Sequence, residues 1–174
     1  MLENYNRYKI LKVFLDSPTE SFGLREIARL SGISPPSVMN YLKQFEQKNL
    51  IRKEEKKGIP AYTSIRDSQN FIMYKKLSIL YELNKSGLIN HLWDAFAPDA
   101  IILFGSFARG ESTESSDIDL FVLGKEIPVK IAHYEDLLGK KVHLLFNESV
   151  HKVPKELRNN IINGIVLKGY IKAF

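Results

Sequence analysis

Residues 101–122 constrain this chain more than any other stretch: Ile-Ile-Leu-Phe-Gly-Ser-Phe-Ala-Arg-Gly-Glu-Ser-Thr-Glu-Ser-Ser-Asp-Ile-Asp-Leu-Phe-Val. An apolar run ends in Gly105-Ser106, small and polar residues follow, and the chain re-enters an apolar run carrying Asp117 and Asp119. Ten residues separate Ser106 from Asp117. The pattern predicts a strand, a tight turn, a short helix and a second strand. Residues two apart on a strand point to one face, so the two carboxylates project together while Ile118 turns inward. Adjacent carboxylates are costly without a cation, and magnesium usually takes one or two carboxylates together with substrate phosphates. Gly105 permits a tight turn and close backbone approach, and Ser106 offers its hydroxyl and amide to phosphate oxygens. Arg109 either adds charge near those phosphates or is a surface residue. The stretch thus reads as a place for a nucleoside triphosphate and its magnesium.

Gly-Ser, ten residues and Asp-x-Asp, with an apolar strand on either side, resembles the signature of the minimal nucleotidyltransferases of the DNA polymerase β superfamily. The resemblance runs over residues 98–170. It implies a small mixed sheet flanked by helices, a nucleoside triphosphate with Mg (or Mn), and nucleotidyl transfer to a hydroxyl with pyrophosphate leaving. Gly105, Ser106 and Arg109 would then meet the nucleotide, and Asp117 and Asp119 the metal. "Leu-Leu-Gly-Lys-Lys-Val-His-Leu-Leu" resembles the family's third-strand segment, where the family carries a third carboxylate at the place of His143. In the family three acids hold two metal ions, which stabilise attacking and leaving oxygens, and the third acid helps activate the attacking hydroxyl. Imidazole suits transition metals better than magnesium and titrates near neutral pH. His143 is therefore open to two roles: general base, or structural histidine where an acid was lost. Glu111 and Glu148 are candidates to replace that acid, although no spacing shows that either reaches the site. His91, His133 and His151 read as surface residues.

The N-terminal third has a different pattern. Ile10, Leu11, Phe14 and Leu15 fall at helical spacing over residues 8–15, and Asp16-Ser17-Pro18 stops the run. A second short helix follows Gly23, with Leu24, Ile27, Ala28 and Leu30 expected on its buried side. Ser31-Gly32-Ile33 makes a turn, Ser34 is expected to cap a third helix, and Pro35 takes its first position. Val38, Leu42 and Phe45 form an inward stripe, leaving Ser37, Asn40, Lys43, Gln44 and Gln47 outward. Residues 51–55 and 61–65 read as strands around Lys56-Lys57-Gly58. Three helices and a basic hairpin resemble a winged helix-turn-helix, and "Leu-Arg-Glu-Ile-Ala-Arg-Leu-Ser-Gly-Ile-Ser" reads like the corresponding segment of bacterial and archaeal regulators. The resemblance implies double-stranded DNA as partner, met by Ser34, Ser37, Asn40, Lys43 and Gln44 on the third helix and by Lys56 and Lys57 on the wing. Charge agrees: residues 1–66 hold 12 Lys and Arg against 7 Asp and Glu, whereas residues 67–174 hold 13 of each.

Residues 68–83 form a helix apolar nearly all round, which needs partners on several sides and suggests a homodimer. Residues 88–96 read as the next helix, 128–138 as one ended by Gly139, 141–146 as a strand, 154–163 as a helix and 165–167 as a last strand. The expected architecture is α+β in two domains: a winged helix-turn-helix over 1–66, a connecting helix over 67–85 and a nucleotidyltransferase-like mixed sheet flanked by helices over 86–174. Without a cysteine there is no disulfide framework or zinc-finger spacing. No apolar run reaches membrane-span length and the first residues lack the apolar core of a secretory signal, so a cytoplasmic chain is expected. The expected function is DNA binding joined to nucleotidyl transfer. The alternatives are a transcriptional regulator whose degenerate transferase domain senses nucleotide, and an antitoxin-like partner of a HEPN-type protein. A fused DNA-binding domain argues against an aminoglycoside-type transferase.

Overall fold

The computed structural model describes residues 4–56 and 58–171. It divides into two compact units, Met1–Ser78 and Ile79–Phe174, with the division inside one helix, α4 (Gln69–Ser86). Among the described residues no helix is long and apolar enough to cross a membrane.

In the first unit, α1 (Asn6–Asp16), α2 (Leu24–Ser31) and α3 (Pro35–Gln47) accompany an antiparallel sheet ordered β1-β3-β2. Its strands are β1 (Ser21–Gly23), β2 (Ile51–Lys56) and β3 (Ile59–Ser64). Ile10 and Phe14 of α1, Ile27 of α2, and Val38, Leu42 and Phe45 of α3 meet in one core. That core is also closed by Phe22 of β1, whose ring stands edge-on to Phe14 at 5.7 Å. Gly32, at φ 69°, ends α2 in the left-handed conformation that glycine adopts without steric cost.

Two local expectations are corrected here. Leu30 is not inward but 49% exposed. In an eight-residue helix the inward stripe falls on Ile27 and Ser31, and the Ser31 hydroxyl donates to the Ile27 carbonyl at 2.7 Å. Ser34 stands at the N-cap of α3 in extended conformation, but its hydroxyl donates to Ser37 Oγ at 3.1 Å rather than capping a backbone amide. Strand β1, too short to register as a pattern, pairs Ser21 with Thr63 and Gly23 with Ala61.

The second unit is built on a four-stranded sheet ordered β6-β5-β4-β7. It comprises β4 (Ala100–Phe104), β5 (Ile118–Leu123), β6 (Val142–Asn147) and β7 (Ile165–Gly169). Strands β5 and β6 are parallel, and β4 runs antiparallel to both β5 and β7. Alternation divides the core into two layers. Ile101, Leu103, Ile118, Leu120 and Val142 lie with Leu88, Ile89 and Leu92 of α5 (Leu88–Phe96) and with Ile79 and Leu83. Ala100, Ile102, Phe121 and Leu123 lie with Val150, Val153 and Ile161, the last on α8 (Lys155–Ile162). Helix α6 (Gly105–Arg109) follows β4 directly, and α7 (Ala132–Leu138) leads through Gly139 into β6. Helix α7 begins later than the sequence pattern predicts; the chain takes no helical form between Pro128 and Ile131.

Candidate active site

Strand pairing gathers the site. Phe104 lies opposite Asp119 across β4 and β5, and Asp119 lies opposite His143 across β5 and β6. The chain turns at Gly105 as it leaves Phe104, which sets the Gly105-Ser106 turn beside Asp119. Gly105 has φ +70°, and a Cβ built there would stand 2.3 Å from Asp119 Oδ2. Glycine is required on both counts, the conformation and the close approach. Asp117 stands one residue ahead of β5, and the buried Ile118 separates it from Asp119.

His143 joins the two acids. Its Nε2 is 3.5 Å from Asp117 Oδ2, and its Nδ1 is 3.5 Å from Asp119 Oδ1. These are long contacts, at the outer limit of hydrogen bonding. The imidazole remains accessible, with 67% of its side chain exposed, against 41% for Asp117 and 29% for Asp119. Burial pushes the Asp119 carboxyl above its ordinary value; His143 draws it down, the Asp117 charge pushes it up, and Arg109 draws it down again.

The remaining candidates fall in different places. Ser106 is half-buried in the first turn of α6, and its carbonyl accepts from the Glu111 amide at 2.9 Å. Arg109 is exposed and paired with Glu111 at 2.6 Å, which ties Glu111 to the arginine rather than to the aspartates. Glu148 lines a separate cavity of about 190 Å³ with Asp99, Ser149 and Tyr170, beyond the Leu123–Asn147 end of the β5–β6 pair. His133 and His151 are exposed, but His91 is not a surface residue in the sense expected. Its Nε2 is buried without a hydrogen-bond partner among the described residues, and its ring stacks on Tyr134 at 4.9 Å.

The acid pair suits a hard divalent ion: two carboxylates on one side of a turn leave the remaining positions to phosphate oxygens and water. Among the described residues no three His, Cys, Asp or Glu side chains form a ready metal cage.

In the first unit, Ser34, Asn40, Lys43 and Gln44 are exposed and Ser37 is half-buried along α3. Lys56 is exposed at the end of β2, its Nζ donating to Ser21 Oγ at 3.1 Å. Lys57 lies outside the described residues.

Sequence reasoning missed what supports Asp117. The Lys140 ammonium donates to the carbonyls of Thr113, at 3.3 Å, and Glu114. Glu135 accepts from the Val142 amide at 3.0 Å and from Lys141 Nζ at 3.0 Å, and these two bonds hold its carboxyl below the ordinary range. The nearest signal was the Gly-Lys-Lys run ahead of the third strand.

Comparison with known proteins agrees with this geometry. The family model described as "Nucleotidyltransferase domain" matches residues 87–167, and "IclR helix-turn-helix domain" matches residues 8–55. The chain is 38% identical over 81 residues to "Putative protein adenylyltransferase MJ1379" of Methanocaldococcus jannaschii, covering 41% of this chain and 81% of the relative. It is 39% identical over 70 residues to "Putative protein adenylyltransferase MJ0435" of the same organism, covering 37% and 72%. With "Protein adenylyltransferase MntA" of Thermococcus cleftensis it shares 38% over 65 residues, covering 34% and 66%. The strand-turn-strand acid site and these matches coincide in one segment, so the chain belongs to the nucleotidyltransferase family and carries a helix-turn-helix domain ahead of its transferase domain.

Proposed function

We propose that this chain binds DNA through its first unit and, in its second, transfers a nucleoside monophosphate from a nucleoside triphosphate to a hydroxyl on a protein. The observation that carries the reading is the acid pair: Asp117 and Asp119 on either side of Ile118, with Asp119 against the Gly105 turn. The names of the relatives support adenosine triphosphate as donor and a protein as acceptor. A HEPN-type protein, named with the antitoxin-like alternative, would serve as such an acceptor.

Asp117 and Asp119 would hold a divalent ion, Mg or Mn, which when bound supplies charge neutralisation at the phosphoryl oxygens. The Gly105-Ser106 turn receives the phosphates, since a glycine backbone lets them approach closely and the serine offers hydroxyl and amide. Arg109, although paired with Glu111, still draws the Asp119 carboxyl down and adds positive charge at the site. His143 takes the proton of the acceptor hydroxyl. It reaches both acids, remains accessible, and belongs to the residue type that acts most often in this role. The acceptor oxygen bonds to the α-phosphorus, the bond from that phosphorus to the bridging oxygen breaks, and pyrophosphate leaves.

The DNA half of the reading rests on the exposed row Ser34, Asn40, Lys43 and Gln44, with half-buried Ser37, and on Lys56. Phosphate contacts would position the duplex and the α3 side chains would read it. A DNA target supports the cytoplasm as the working compartment. On α4, Met73 and Leu77 are 49% and 53% exposed. That apolar stripe supports a homodimer, in keeping with the paired half-sites that such regulators read.

The test is to incubate the purified full chain with α-labelled nucleoside triphosphates, magnesium or manganese, and a lysate of its source cells. A labelled protein together with released pyrophosphate is expected, with ATP the best donor. Binding of the metal-bound nucleotide with neither label nor pyrophosphate would refute transfer.

A further inference from the structure

Asp117 precedes β5, so its position depends on the loop that delivers it rather than on the strand ladder. That loop is tied into a small knot. The Thr113 amide donates to Ser116 Oγ at 2.8 Å, and the Ser116 amide returns to the Thr113 carbonyl at 3.2 Å. Lys140 Nζ closes the knot from outside by donating to the Thr113 and Glu114 carbonyls. An ammonium has three donors and no acceptor, and its bonds to carbonyls are charge-assisted.

Lys140 is itself anchored. It is half-buried, and its amide donates at 3.2 Å to the carbonyl of Glu135, in the middle of α7. The next residue grips the other side of Asp117, because the Lys141 carbonyl accepts from the Ile118 amide at 2.9 Å. The turn between α7 and β6 therefore holds the chain just before and just after Asp117. The Asp117 carboxylate itself meets His143, at 3.5 Å, but that imidazole is largely exposed and makes a weak anchor.

We propose that Lys140 is a positioning residue for the transfer site: by holding the Thr113 and Glu114 carbonyls it fixes where Asp117 stands relative to Asp119, the pair that would hold a divalent ion. The inference rests on the reading of Asp117 and Asp119 as metal-holding acids. Such constellations tolerate displacements of only about 0.5 Å, and loss of an outer partner typically weakens metal binding by roughly 10- to 100-fold.

The test compares Lys140→Met and Lys140→Arg with wild type in the full chain, by two measurements. With neither metal nor nucleotide present, hydrogen exchange over residues 113–118 is expected to speed up by on the order of tenfold in Lys140→Met, while β4 is unchanged. Titration with manganese and ATP is expected to show affinity weakened by on the order of tenfold in Lys140→Met. Lys140→Arg, which keeps the charge and several donors, is expected to restore most of both. Unchanged exchange, or faster exchange with unchanged affinity, overturns the inference. A wild-type chain that binds no manganese-ATP overturns the reading of the acid pair and the inference with it, and the wild-type titration alone distinguishes that outcome. If Lys140→Met loses cooperative unfolding, Lys140→Gln replaces it; this variant keeps a neutral donor, and an intermediate loss is expected.

Discussion

Asp119 carries opposing demands, because burial raises its carboxyl while the proposed role needs it ionised. A carboxyl whose folded value lies above its unfolded one binds its proton more tightly in the folded chain. Its favourable contribution is complete below the unfolded value and is lost as pH rises through the folded one. Once pH has risen through the folded value, the ionised Asp119 therefore works against the metal-free fold. Asp119→Asn should raise the thermal midpoint of the metal-free protein near pH 7 and abolish its stabilisation by manganese-ATP. Thermal scans with and without the ligand check both parts, and a lower midpoint in the absence of ligand would contradict the burial argument. His143 is open to a similar substitution. If it accepts the acceptor's proton, His143→Asp should lower transfer by on the order of tenfold, equivalent to ~1.4 kcal/mol of barrier, and move the pH optimum downward. A rise in rate would instead show that the position wants the family's third carboxylate.

Among the elements, α4 makes the clearest demand on a partner. Phe71 is buried in the first core and Ile79 and Leu83 in the second, but Leu77 is left 53% exposed. Leu77→Glu should give a folded chain whose solution mass falls to that of one copy. A wild-type mass of one chain across a wide concentration range would count against the dimer. How far such elements can be read from sequence depends on whether their cause is periodic. Apolar runs announced β4 and β5, the two-residue spacing set Asp117 and Asp119 on one face, and the resemblance of Leu-Leu-Gly-Lys-Lys-Val-His-Leu-Leu to the family's third strand put His143 beside them. Strand β1 left no trace, because three residues show no period and it exists only through pairing with β3. Leu30 was misplaced because eight residues leave the apolar arc of α2 loosely defined. The Lys140 bonds were invisible for a different reason: a side chain reaching backbone carbonyls across 26 and 27 positions has no sequence signature.

At the scale of the whole molecule, the excess positive charge lies in the first 66 residues, so DNA binding and nucleotide chemistry should respond to different substitutions. Replacing Lys43 and Lys56 by Ala should weaken binding to all duplexes and reduce the slope of affinity against salt by about 2, one for each phosphate no longer neutralised. Changing Asn40 should instead relax sequence preference. Neither change should alter the affinity for manganese-ATP. Transfer of a nucleotide to a protein hydroxyl by the Asp117–Asp119 pair underlies the proposed function. Its most direct test is the covalent labelling of a protein acceptor from α-labelled ATP, with pyrophosphate counted in the same reaction, by wild type and by Asp117→Asn/Asp119→Asn. Wild type should release one pyrophosphate for each label attached, and the double variant should do neither while retaining its affinity for DNA. Equal labelling by the double variant, or label from wild type without pyrophosphate, would contradict the account.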